Sequence, residues 1–163
     1  MRLLGILLLS LTPFLLGLEY RIGLKKRRDF LRLFKEFIIF VKEQIRFCGR
    51  EREEIFTLAL NDPRFNTSIF KRLDIALKNG ESITKIFDDN IDIRLKPKEI
   101  YEINAFIIDL GKSDTEGQIA HCDYYISVFE QGEKKFIEAY SAKSKLSLGL
   151  SLSLAAAMFI IMI

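Results

Sequence analysis

Apolar residues in this chain follow two regimes. From Leu3 to Leu18 the order LLGILLLSLTPFLLGL carries no charge, and from Leu146 to Ile163 the order LSLGLSLSLAAAMFIIMI carries none either. Between them, apolar positions recur at three and four residues with charged ones in the gaps. The terminal runs predict membrane-crossing helices of about 24 and 27 Å, with flanking residues such as Tyr20 at the interface. The central pattern predicts amphipathic helices, which bury one stripe and wet the other. The expected fold is all-α: an antiparallel helical bundle (21–145) between an N-terminal (1–20) and a C-terminal (146–163) transmembrane helix.

Within the centre, Phe30, Phe34, Phe37, Val41 and Ile45 form one stripe, and Gly49 suits the left-handed residue on which helices end. A second helix is expected over 51–60, closing at "NDP". Asn66, Thr67 and Ser68 offer caps for a third carrying Ile69, Leu73, Ala76 and Leu77, which "NG" at 79–80 ends. A short helical turn is expected over 82–89 and a loop over 88–96, where "NIDIRLK" alternates briefly with strand period. Pro97 suits a first helical turn, followed by the stripe Ile100, Ile103, Ile107 and Leu110. Ile119, Cys122, Ile126, Phe129, Phe136 and Tyr140 then run without a breaker into the second apolar segment. The last helix should be about fifty residues long, roughly 75 Å.

Charge sets the topology. Arg21, Lys25, Lys26, Arg27 and Arg28 follow the first apolar run, Lys134, Lys135, Lys143 and Lys145 precede the second, and the outer flanks hold only Arg2. Basic residues stay on the cytoplasmic side, so the centre is expected in the cytoplasm and both termini outside it. The cluster at 21–28 suits anionic lipid. A cleaved signal peptide is the alternative for the first segment, against which stand the absence of an A-x-A-like site and the basic residues that follow. Apart from Arg2, 24 basic residues face 22 acidic ones, a balance that argues against a nucleic-acid partner. Cys48 and Cys122 are expected reduced in a cytoplasmic body.

One stretch invites an enzymatic reading. "GKSDTEG" contains Gly111, Lys112 and Ser113, the tripeptide that ends a phosphate-cradling loop. Such a loop needs glycine five places earlier, and Phe106 stands there. The alternative function, a small membrane-anchored nucleotide-binding protein using Lys112, therefore ranks second. In the preferred reading Gly111 ends one helix while Ser113 and Glu116 form a capping box that starts the next. His121 adjoins Cys122 without a second ligand at helical spacing, and Asp88, Asp89 and Asp92 share a solvated loop. No catalytic, metal or cofactor residue is expected, and no small-molecule substrate. In the last segment Ser147, Ser151 and Ala155 repeat every four residues, as do Gly149, Ser153 and Ala157. Small residues in rows let helices approach in lipid, here the first span, a second copy of the chain, or another membrane protein.

The stretch "DLGKSDTEGQIAHCDYYISVFEQGEKKFIEAYSAKSKLSLGLSL" resembles the stage III sporulation protein AB family. The shared positions are Leu110, Gly111, Ser113, Asp114, Gln118, Leu148 and Gly149, and the likeness extends along the whole chain in layout. Phe87 stands where the family leads one to expect a tryptophan, and "GREREEIF" replaces an expected proline near the start of the second helix. The family is similar to the cytoplasmic domains of F platform proteins of type II secretion and type IV pilus systems. The resemblance implies a membrane platform of the channel linking mother cell and forespore, in the mother-cell membrane. Its implied partners are membrane lipid, other stage III sporulation channel proteins and a cytoplasmic secretion-type ATPase. Asp114 and Gln118 are the candidates for partner contact; the competing reading makes them a helix cap and a surface amide.

Overall fold

The computed structural model describes residues 2–49, 51–81, 86–87 and 93–162; within its helices the side chains of 2–11, 13–14, 136, 138–148, 151, 154–156, 158–159 and 161–162 fall outside the description. Five α-helices and no strand occur among the described residues: α1 (Arg2–Cys48), α2 (Arg52–Asn61), α3 (Ser68–Asn79), α4 (Pro97–Asp109) and α5 (Thr115–Met162). The chain divides into two compact units, Arg27–Glu133 and a second made of Met1–Lys26 with Lys134–Ile163.

Helix ends follow local chemistry. Gly49 has φ 58° and donates its N–H to the Ile45 carbonyl at 3.2 Å. Gly80, at φ 67°, ends α3 as the left-handed residue of a Schellman motif: its N–H reaches Leu77 O and the Glu81 N–H reaches Ala76 O. Between α2 and α3, Asp62 folds the chain by accepting the Arg64 N–H at 2.9 Å, and Phe65 is buried just beyond it. Thr67 does occupy the N-cap of α3, yet its hydroxyl makes no capping bond. At α4, Pro97 takes the first turn as expected, and Glu99 accepts the Lys96 N–H at 2.8 Å. This is half a capping box, because a lysine side chain has no acceptor with which to return the bond.

The Arg27–Glu133 unit is organised around α1. Its stripe Phe30, Phe34, Phe37, Val41 and Ile45 is buried, together with the adjacent Leu31 and Ile38. Phe34 meets rings from three other helices: Phe70 of α3 at 6.4 Å, Phe106 of α4 at 5.9 Å and Phe129 of α5 at 5.3 Å. Phe37 extends the cluster to Phe56, Phe65 and Phe70. Phe87 lies edge-on to Phe30 at 6.0 Å, so a phenyl ring fills the place where the resemblance suggests an indole. Burying each such side chain contributes about 1.5–3 kcal/mol, and ring pairs add to that.

Ion pairs report helix direction. Arg27 binds Glu99 with Nε to Oε2 at 2.9 Å, and both this pair and Phe34–Phe106 join residues 72 apart, so α1 and α4 run parallel. Lys35 pairs with Glu133 and Lys42 with Asp123, so the numbering falls along α5 as it rises along α1, and those two run antiparallel. The bundle is thus antiparallel only in part.

Among the described residues no helix is long and apolar enough to cross a membrane. The segments expected to do so, 1–20 and 146–163, lie largely on side chains outside the description, though the backbone from Arg2 and up to Met162 is helical. Most of the expected turn at 82–89 and loop at 88–96 likewise falls outside it; Ile86 and Phe87 are helical, and 93–96 are irregular.

Candidate functional site

The turn between α4 and α5 holds most of the residues that sequence reasoning singled out. Leu110 is buried and its N–H closes α4 on the Phe106 carbonyl at 3.1 Å. Gly111 follows at φ 86°, a backbone conformation that side-chain-bearing residues disfavour, and the Lys112 N–H returns to Asp109 O at 3.2 Å. The Lys112 ammonium is exposed and donates to Asp109 Oδ1 at 3.0 Å. Phe106, where a phosphate loop needs glycine, is fully buried inside α4. Lys112 therefore belongs to a helix-ending turn and not to a loop between strand and helix.

The start of α5 corrects the expected capping box by one residue. Asp114, not Ser113, is the cap: its Oδ1 accepts the Gly117 N–H at 3.0 Å, and its backbone carbonyl accepts the Gln118 N–H at 2.9 Å. In this register the third helical residue is Gly117, which has no side chain to reach back, so Glu116 does not close a box and stands exposed. A carboxylate also serves a helix N-terminus better than a hydroxyl, through its charge. Ser113 contributes its carbonyl instead, which accepts Gln118 Nε2 at 2.9 Å. Asp114 and Gln118 therefore both hold the turn; Asp114 is exposed and Gln118 half-buried, so both remain reachable by a partner.

Gly117 is a position the turn depends on that the sequence reading did not single out. A Cβ there would lie 2.8 Å from Asp114 Oδ1 and 2.9 Å from Ser113 Cβ and Oγ, so the cap closes over bare backbone. Its presence in "SDTEG" was the available signal. His121 was expected beside a core thiol and is found there: its ring stacks on Phe106 at 5.4 Å and 10°, and Nε2 lies 3.2 Å from the Phe106 carbonyl. With a carbonyl as partner, that nitrogen carries the proton. Tyr125, which the stripe omitted, is buried edge-on to both rings. Burial pushes its phenol up to about 12, with Glu102 adding to the effect.

Cys122 is fully buried, and burial followed by the neighbouring Asp123 pushes its thiol up to about 12. A thiol held protonated so far above neutrality is a poor nucleophile. Cys48 is exposed and free. Of the expected membrane-packing residues, Gly149, Ser153 and Ala157 are exposed, Ser153 Oγ donating to the Leu150 carbonyl at 3.0 Å. No described atom lies within 4 Å of where a side chain on Gly149 would begin. The side chains of Ser151 and Ala155 lie outside the described residues.

The family model described as stage III sporulation protein AB matches residues 2–163. Neither a curated protein nor a solved structure matches the chain.

Proposed function

This chain belongs to the stage III sporulation protein AB family, which gives it a role in sporulation, and we propose that it acts there as a membrane platform of a mother cell to forespore channel. In this reading both apolar ends sit in the mother-cell membrane, the Arg27–Glu133 unit faces the cytoplasm, and a separate secretion-type ATPase supplies energy. The chain itself performs no catalysis.

One observation carries the proposal: α1 and α5 each combine an uncharged apolar run and a share of the Arg27–Glu133 core in a single helix. Helix hydrogen bonds resist bending and twisting, so each can pass a displacement from the body to the apolar end without a flexible tether. Exposed Leu15, Leu16, Leu150, Leu152 and Ile160 favour apolar surroundings for those ends, since large apolar surfaces seek lipid or protein. The α4–α5 turn, with Asp114 and Gln118 reachable at its surface, is the proposed contact for the ATPase or another channel protein.

Inserting proline and alanine between Tyr140 and Lys145 tests the coupling. Sporulation frequency should fall while the protein still reaches the membrane; sporulation at the unaltered level would overturn it. Nucleotide binding by the purified chain that Lys112→Ala abolishes would instead establish the nucleotide-binding alternative.

A further inference from the structure

Two patches on the Arg27–Glu133 unit carry opposite charge around exposed apolar side chains. On α3, Ile75 is 56% exposed, and Lys71, Arg72 and Lys78 lie four before, three before and three after it, which at helical spacing surrounds it with cations. The sole carboxylate of α3, Asp74, is buried and bound to Lys78 at 2.7 Å, which offsets one of the three cations and leaves α3 with a net positive charge. On α4, Tyr101 and Ile108 are exposed two turns apart on one face, and Tyr124 of α5 is exposed beside Tyr125 at 5.0 Å. Glu102 and Asp109 act on Tyr125 from the same region, as does Tyr101. From Pro97 to Glu133 the chain holds eight carboxylates and two lysines; Glu99, Asp123 and Glu133 are paired with cations of α1 and Asp109 with Lys112, which still leaves this face with an excess of negative charge.

We propose that a second copy of this chain seats its α3 patch, Ile75 with Lys71, Arg72 and Lys78, on the α4–α5 patch of Tyr101, Ile108, Tyr124, Glu102 and Asp109. Each patch alone would repel its own kind, which disfavours a two-fold dimer built from like faces and favours the unlike pair. The aromatic and aliphatic side chains supply buried area, and the charges set register. Because the two surfaces differ, every copy bound leaves one patch of each kind open at the ends. Addition then continues until a ring closes or an array forms. Both patches belong to one unit, so this contact stands whether or not the apolar ends enter a membrane.

The test uses two full-length chains in detergent, each with Cys48→Ser: one carries Asn79→Cys, one turn beyond Ile75, and the other Ala120→Cys, one turn before Tyr124. Treatment with a flexible bismaleimide should give dimers in the mixture and only traces with either chain alone. Lys71→Glu with Arg72→Glu in the first chain should lower the yield about tenfold, and Glu102→Lys with Asp109→Lys in the second should restore it. Helical circular dichroism checks that each variant folds. Should a reversed variant fail that check, raising salt from about 0.05 M to about 0.5 M on the unreversed pair reads the same attraction, with a similar loss expected. No cross-link in the mixture, equal cross-linking of either chain alone, or a yield indifferent to both charge and salt overturns the proposal.

Discussion

The Gly117 N–H donates to the Asp114 carboxylate at 3.0 Å, and the closeness that makes this bond leaves no room for a side chain on Gly117. Gly117→Ala gains roughly 1 kcal/mol of helix propensity. It also forces the carboxylate off the helix end, a loss of about 1 kcal/mol, and displaces Ser113, which has backbone on both sides. The sum is a net loss on the order of 1 kcal/mol, measurable as a lower thermal midpoint of the purified chain.

Asp114 separates capping from partner contact. Asp114→Ala should cost about 1 kcal/mol of stability, whereas Asp114→Asn retains an acceptor for the Gly117 N–H and should stay near the parent. If Asp114 only caps, sporulation with the asparagine variant is unimpaired. A stable asparagine variant that sporulates poorly assigns the charge to a partner.

Glu99 holds two groups at once, the Arg27 guanidinium and the Lys96 N–H. Removing it leaves a largely buried arginine, 11% exposed, without that partner. Glu99→Ala should destabilise by about 2 kcal/mol, and a double-mutant cycle with Arg27→Met should show coupling on the order of 1 kcal/mol. Additive losses would mean that the pair contributes only through packing.

Phe34 stands where α1, α3, α4 and α5 meet, touching Phe30, Phe37, Phe70, Phe106 and Phe129. Phe34→Ala should cost about 3–5 kcal/mol, enough to unfold a marginal domain, while Phe34→Leu should cost roughly half of that. Urea unfolding of the two variants tests the ratio.

Alkaline pH should loosen the same core. The folded-state values of Cys122 and Tyr125 are raised to about 12 from 9.0 and 10.0, so both hold protons that the unfolded chain has released. Their contribution is complete below pH 9 and declines as pH rises toward 12. The urea midpoint should fall over this window, and Cys122→Val should remove the part that begins near 9. At pH 8, a maleimide should label Cys48 alone until the chain is unfolded.

Much of the helical body was legible because burial repeats at helical spacing. Phe30, Phe34, Phe37, Val41 and Ile45 are buried as that spacing requires, and Gly49, Gly80 and Pro97 mark ends where their backbone preferences place them. Leu31 and Ile38 escaped notice because α1 is covered on more than one side, and a single stripe understates a central helix. The cap at Asp114 was misplaced by one residue since serine and aspartate are adjacent and both cap well; the register that brings the Gly117 N–H onto the Asp114 carboxylate shows only in three dimensions. The parallel course of α1 and α4 rests on a pairing across 72 residues, about which local spacing is silent.

Phe87, set edge-on against Phe30 in a chain with no tryptophan, has a practical consequence. An indole introduced at that one position would be the protein's single strong emitter, lodged against the helix on which every other core element leans. Its colour and quenching would then follow the opening of this corner of the body in the full-length chain, against a background of tyrosine light alone.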